Sequence, residues 1–303
     1  MKKKLLFIYN PHAGKGKIKS QLSDIIELFV KHDYEVVVYS TKGKKDAKKI
    51  VIDCLKRQKY EYIVCSGGDG TLNEVINGVM NCENKPKIGY IPSGTTNDYA
   101  YSLKVPKNML KATQVVLNEA LLSCDIGSFN EEYFTYSAAF GLFTDAAYET
   151  PQYSKNMLGR LAYILEGIKR LPNWKSYRLD IINEDKVISD NFIYGMVTNT
   201  HSIGGFRGIT GKGVLLDDGL FEAIFIKTPQ NVSDLQSIIN DLLKGKLNSD
   251  QIISFPIKEI YIRSEELVPW SIDGEYGGEL QTVCIKNCKQ AISIATILGK
   301  KRK

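Results

Sequence analysis

Along the N-terminal part of the chain, short unbroken apolar runs alternate with stretches whose apolar residues recur at helical spacing. Residues 4–9, 36–39, 62–65 and 88–91 are runs of the length and composition of strands buried on both faces. Between them, Leu22, Ile25, Ile26, Phe29 and Val30 mark one face of a helix, and Ala47, Ile50, Val51 and Leu55 mark another. Val75, Ile76 and Val79 begin a third helix, and a fourth is predicted over 109–118. Strands and helices alternating at this spacing predict right-handed βαβ units and a doubly wound parallel sheet.

The texture changes from Ser123 onward. Segments at 125–129, 133–140, 177–183, 192–198, 220–226, 257–262 and 282–285 are short, alternating or aromatic, and turn residues separate them. That spacing predicts antiparallel strands and a second domain rich in β-sandwich structure. Two helices interrupt it. Residues 157–171 are apolar around much of their circumference, which suits core packing, and the resemblance given below adds the reading that they line an acyl-chain groove. Residues 231–244 read as an amphipathic surface helix capped near Ser233 and Asp234. The fold class is therefore α/β, with domains at 1–124 and 125–290 and no flexible linker between them; the resemblance given below further implies that residues 291–303 pack back on the first. There are no internal repeats.

Composition narrows the function classes. With 303 residues, 43% hydrophobic and 24% charged, the chain has the balance of a soluble globular protein. A net charge of +6 suits an anionic partner but falls short of a nucleic-acid footprint, so no nucleic-acid partner is expected. Lys2 to Lys4 and residues 5–9 begin like a secretory signal, but the apolar run stops at Asn10 and Pro11 with no cleavage site following. No stretch approaches the length needed to span a bilayer. Cys54, Cys65, Cys82, Cys124, Cys284 and Cys288 have no metal-site spacing and read as reduced thiols, which points to the cytoplasm.

Three predicted strands end in polar, glycine-containing loops, at residues 10–16, 66–74 and 92–98. In an open α/β sheet such ends share one edge, where ligands bind. Glycines there let backbone N–H groups approach a polyphosphate, and a helix N-terminus favours negative charge. Asp69 beside phosphates makes sense with Mg²⁺ between them; alternatively it caps a tight βα turn. Asp98 has the competing reading of an ordinary helix-start acid. Lys15 and Lys17 could neutralise phosphate or simply be solvated. His12 is not read as catalytic, His32 reads as a helix-end residue, and His201 is ambiguous. The Asp218-Gly219 and Asp273-Gly274 pairs are foremost hairpin turns on local signals.

Taken together, Asn10-Pro-x-Ala-Gly-x-Gly16, Gly67-Gly-Asp-Gly-Thr-Leu-Asn-Glu74 and Pro92-x-Gly-Thr-x-Asn-Asp98 resemble the diacylglycerol kinase catalytic-domain family, bacterial lipid kinase type, related to sphingosine and ceramide kinases. Tyr101 stands where such kinases usually carry an Arg. The resemblance implies that ATP lies across Asn10, Pro11, His12, Ala13 and Gly14, across Thr41, across Gly67, Gly68, Asp69, Gly70, Thr71 and Asn73, and across Thr95, Asn97 and Asp98. Asp69 and Asp98 would sit near the nucleotide-bound Mg²⁺. A structural Mg²⁺ would be held by Asp218 with the carbonyl oxygens of Leu215 and Leu220. Glu275 would accept the hydroxyl proton, with Asp273 as its partner, on a turn facing the glycine turn across a cleft.

The function so implied is an ATP-dependent lipid kinase phosphorylating diacylglycerol or a related lipid alcohol at the membrane surface. The alternatives are a kinase for a soluble acceptor such as NAD, or a non-catalytic nucleotide-binding regulator. The basic stretches at 2–4, 42–49 and 300–303 could draw the chain to anionic lipid. The lipid is not named by the sequence, and a homodimer stays open.

Overall fold

The computed structural model describes residues 2–95, 97–142, 175–199, 202–203, 206–207, 216–297 and 300–301. The chain divides into two compact units, Met1–Cys124 with Gln290–Lys303, and Asp125–Lys289.

In the first unit, β1 (Lys3–Tyr9), β2 (Tyr34–Ser40), β3 (Tyr62–Gly67) and β4 (Lys87–Pro92) form a parallel sheet in the order β2-β1-β3-β4. A returning segment adds to it, with Ile294 pairing parallel to Ile88. The order reverses between β1 and β3, the switch point of a doubly wound sheet, so loops after those two strands flank one crevice. Leu5 to Ile8 and Tyr62 to Cys65 have no exposed surface, which is why these strands read as unbroken apolar runs. At the edge, Val38 and Tyr39 of β2 are partly open to solvent.

The helices of this unit are α1 (Leu22–Lys31), α2 (Asp46–Arg57), α3 (Asp69–Met80), the short α4 (Asp98–Ser102) and α5 (Met109–Leu117). Helix α1 packs on α5, and α2 on α3. On α1 the buried line is Ile25 and Phe29, while Val30 is 51% exposed, against the sequence expectation. Val30 lies about 100° round the helix from Phe29 and shares its line with the half-buried Ile26, at the margin of the packed face. On α2 the seam is Ala47, Val51 and Cys54, with Ile50 and Leu55 only half-buried beside it.

The chain leaves the first unit along β5 (Ala120–Phe129), followed by β6 (Glu132–Phe134), β7 (Ser137–Gly141), β8 (Tyr177–Asn183) and β9 (Lys186–Thr198). The short pair β10 (Ser202–Ile203) and β11 (Phe206–Arg207) precedes β12 (Phe221–Lys227). Then come β13 (Ile252–Ile257), β14 (Glu259–Ile272), the long β15 (Glu275–Ala295) and β16 (Lys300–Lys301).

Within the second unit the described pairings are antiparallel, in the order β13-β12-β9-β7-β14-β15. Strand β8 also joins β9 to β14, along the part of each that β7 does not use. The sheet encloses an aromatic core in which Trp270 lies 4.9 Å from Phe140 and 5.2 Å from Phe129, ring centre to ring centre. A slip in register opposite Ile226 and Lys227 gives β9 one extra residue, Ile193. Phe192 and Val197 consequently face the aromatic core, while Ile193, Tyr194 and Met196 face a helix on the other side.

That helix, α6 (Val232–Lys244), buries Leu235, Ile238, Ile239 and Leu242. Its N-cap is Asn231, within one turn before the Ser233 and Asp234 of the sequence reading. The Asn231 side chain accepts from Asp234 N at 2.8 Å, and Asp234 returns the bond by accepting from Gln230 N at 2.9 Å. The predicted helix at 157–171 lies outside the described residues. All six cysteines are free, and among the described residues no helix is long and apolar enough to cross a membrane. Asn231→Ala should cost about 1 kcal/mol of stability, read as a lowered urea midpoint with unchanged slope.

Candidate active site

In the first unit three strand-end turns close on one another. The Gly67 carbonyl, at the end of β3, accepts from Ser93 N at 2.9 Å and Gly94 N at 3.1 Å, with the Tyr90 hydroxyl at 3.3 Å. Asn10 N, at the end of β1, donates to Ser66 O at 2.8 Å, and its side-chain amide reaches Thr71 Oγ1 at 3.4 Å. Gly14 sits at φ 54°, and a β-carbon there would lie 2.0 Å from the Ser93 carbonyl oxygen. A β-carbon on Gly94 would lie 2.6 Å from Gly68 Cα. These contacts exclude side chains and leave a surface of bare backbone. Gly14, Lys15 and Gly16 are all left-handed, so the turn after β1 is folded more tightly than a simple loop into a helix.

The sequence-predicted nucleotide residues distribute as follows. Asn10 Oδ1 accepts from His12 N at 2.9 Å, and Asn10 O accepts from Ala13 N at 3.3 Å, which winds residues 10–13, including Pro11, into a turn. Thr41 is buried at the end of β2, its N–H donating to Tyr9 O at 2.9 Å. Gly68 caps α3, whose intrahelical bonding starts at Leu72 N to Gly68 O, 3.1 Å. Gly70 and Thr71 thus lie in the first turn of the helix, where backbone N–H groups ordinarily lack an intrahelical acceptor. The Asp69 carboxylate accepts from Tyr99 N at 3.1 Å, fastening the glycine turn to the start of α4, which Asp98 opens. Asn73 Oδ1 accepts from Asn77 at 2.9 Å. Thr95 is exposed in the loop after β4. Asn97 is buried and left-handed, and both ends of its amide are engaged with Gly94, at 3.0 and 2.7 Å. It shapes the loop from behind.

In the second unit, Asp273 and Gly274 form the two-residue turn between β14 and β15, at φ 48° and 82°. Consecutive left-handed residues match the twist of a hairpin. The Asp273 carboxylate accepts from Thr135 N and Thr135 Oγ1, both at 2.7 Å, from Tyr136 N at 2.9 Å and from Ser137 N at 3.0 Å. Asp273 N donates to Ser137 O at 2.8 Å, and the Tyr136 hydroxyl donates to Asp273 O at 2.8 Å. Burial pushes the Asp273 carboxyl up from the ordinary carboxylate range, against the pull of these donors. Asp273 thus fixes the turn, while Glu275, paired opposite Ile272, is exposed.

The Asp-Gly-Leu turn belongs to the same unit. Asp218 is exposed, and its Oδ1 accepts from Leu220 N at 2.9 Å; Leu215 lies outside the described residues. Beneath the turn sits a residue the sequence reading passed over, the fully buried Asp125. Its N–H donates to Leu216 O at 2.7 Å, and its carboxylate accepts from Gly219 N at 2.6 Å and Asn287 Nδ2 at 3.2 Å. Asn199 Nδ2 donates to Asp125 O at 3.0 Å. Both amides must turn their nitrogens to Asp125, so their oxygens point elsewhere. Asn199 Oδ1 and Asn287 Oδ1 are buried without a hydrogen-bond partner. Buried amide oxygens without a protein partner are atoms that a water molecule or a hard cation satisfies. The only sequence signal for it was an Asp interrupting an apolar strand. Asp273→Asn replaces an acceptor oxygen by a donor amid four donors, and should cost about 2 kcal/mol in urea unfolding.

With this geometry in place, comparison with known proteins identifies the family. Residues 4–129 match the diacylglycerol kinase catalytic domain, and residues 139–295 match the YegS C-terminal NAD kinase beta sandwich-like domain. The diacylglycerol kinase of Bacillus subtilis (strain 168) is 34% identical over 280 residues, 92% of this chain and 91% of that protein. The diacylglycerol kinase of Staphylococcus haemolyticus (strain JCSC1435) is 34% identical over 297 residues, 98% and 89% of the two chains. A crystal structure of a diacylglycerol kinase from Bacillus anthracis str. Sterne, 24% identical, shares the fold with a TM-score of 0.71 over 97% of either chain. The chain belongs to the diacylglycerol kinase family and is a lipid kinase.

Proposed function

We propose that this lipid kinase transfers the γ-phosphate of ATP to the free hydroxyl of diacylglycerol, releasing the lipid phosphate and ADP. The observation that carries the ATP half is the side-chain-free convergence of the turns after β1, β3 and β4 at the N-terminus of α3. Backbone N–H groups at such a point suit a polyphosphate, and phosphoryl transfer needs mostly positioning and charge stabilisation. In this reading Asn10 to Gly14, Thr41, Gly67 to Asn73 and Thr95 surround the nucleotide. Asn97 shapes the loop that carries Thr95, and Asp69 and Asp98 lie beside the metal-bound phosphates. Glu275 accepts the hydroxyl proton, and Asp273 holds the turn that presents it.

Bound Mg²⁺ supplies neutralisation of phosphate charge. Asp218, with the carbonyl oxygens of Leu215 and Leu220, would hold a structural ion. The exposed Asp218 carboxylate is a hard oxygen ligand of the kind such an ion takes. Because diacylglycerol resides in the bilayer, the enzyme works at the membrane surface as a peripheral visitor.

The test is a labelled-ATP assay in mixed micelles with diacylglycerol, monoacylglycerol, a sphingoid base and a polyprenol, and with NAD in solution. Diacylglycerol should be the preferred acceptor; preferential phosphorylation of NAD would overturn the lipid assignment. Glu275→Gln should lower kcat by about 10²- to 10⁴-fold with the KM for ATP unchanged and the fold intact. Turnover at the wild-type rate would remove Glu275 as the base.

A further inference from the structure

Helix α2 begins without a cap of its own. Its N-cap position is Lys45, which has no acceptor side chain and sits in the left-handed region at φ 63°. Helix N-termini usually satisfy their orphan N–H groups with a local Ser, Thr, Asp or Asn. Here the acceptor comes from elsewhere in the sequence. Glu74 Oε1 accepts from Lys45 N at 2.7 Å, and Glu74 Oε2 accepts from Ala47 N at 3.1 Å. Asp46 closes the same loop from within, its Oδ2 accepting from Lys42 N at 2.7 Å. Two carboxylates thus lie at the positive end of α2.

A local cap would stabilise α2 equally well and connect it to nothing. Glu74 is the sixth residue of α3, the helix whose first turn is Asp69, Gly70 and Thr71. A rigid helix therefore carries the glycine turn at one point and grips the 41–47 segment at another. Thr41 is fixed behind by the bond from its N–H to Tyr9 O, and the loop that follows it is fixed to α3.

We propose that Glu74 is a positioning residue for ATP, coupling the loop after β2 to the phosphate-facing turn so that both reach the nucleotide in register. This rests on the reading that Thr41 and the glycine turn contact ATP.

If Glu74→Gln leaves the loop ordered for only a tenth of the time, the KM for ATP rises about tenfold. The kcat should stay within about twofold and the lipid KM should not move. Amide hydrogen exchange on the nucleotide-free protein should show faster exchange at Lys45 and Ala47. A variant that loses thermal stability but keeps the wild-type KM for ATP would reduce Glu74 to a helix cap and overturn the proposal. So would a fall in kcat with the KM for ATP unchanged. Glu74→Asp keeps the charge at the helix end but is one methylene short. It carries the same test with less disturbance should Glu74→Gln fail to fold. Loss of Lys45 and Ala47 protection in a protein whose wild type shows no saturable use of ATP would refute the ATP reading and leave the anchor standing.

Discussion

A β-carbon on Gly14 would overlap the Ser93 carbonyl, and one on Gly94 would overlap the Gly68 backbone. Close approach of bare backbone is the constraint on which the first unit is built. The Gly67 carbonyl can gather Ser93 N, Gly94 N and the Tyr90 hydroxyl only because nothing projects between the turns. What faces the sheet edge is then a set of amides held by the sheet itself, with little side-chain entropy left to lose on binding an anion. Sterics, rather than any individual charged group, set the shape of the cradle.

The second unit solves its positioning problem by other means. There the organisers are carboxylates. Asp273 collects four donors from residues 135–137, and Asp125 collects the Gly219 amide and the Asn287 side chain. Burying a carboxylate is costly unless its lone pairs are met, and charge-assisted bonds are roughly twice as strong as neutral ones. The two hubs are also connected. Tyr136, whose N–H binds Asp273, presents its carbonyl to Asn199 N at 2.9 Å, and the Asn199 amide binds Asp125. A continuous polar chain therefore joins the hairpin bearing Glu275 to the turn bearing Asp218.

The sequence made the βαβ half legible because burial on both faces leaves little choice of residue. The runs at 4–9, 62–65 and 88–91 could hardly be anything else, and their glycine-bearing ends fall where a doubly wound sheet puts ligands. Side-chain direction was less legible. Val30 fits the periodic pattern yet faces solvent, because periodicity fixes a stripe and only packing fixes its width. The sequence places the α6 cap near Ser233 and Asp234; Asp234 does take part, but the N-cap itself is Asn231, since both residue types can cap and only geometry chooses. Asp125 and Glu74 were invisible as organisers. Their partners lie far along the chain, and neither spacing nor composition encodes a hydrogen bond formed in trans. Asn97 reads from sequence as a ligand residue, and its bracing of Gly94 through both ends of the amide is a structural role that the motif does not announce.

Strand β15 starts at the proposed base and ends as a neighbour of β4, with Ile294 beside Ile88. During synthesis, β4 emerges well before its partner, so its outer edge stays unpaired until the chain has been made as far as Ile294. The apolar residues 88–91 would meanwhile offer a ready template for pairing with another nascent chain. A burden of this kind ties maturation of the first unit to completion of the second. Fragments that stop at the unit boundary should thus be prone to aggregate.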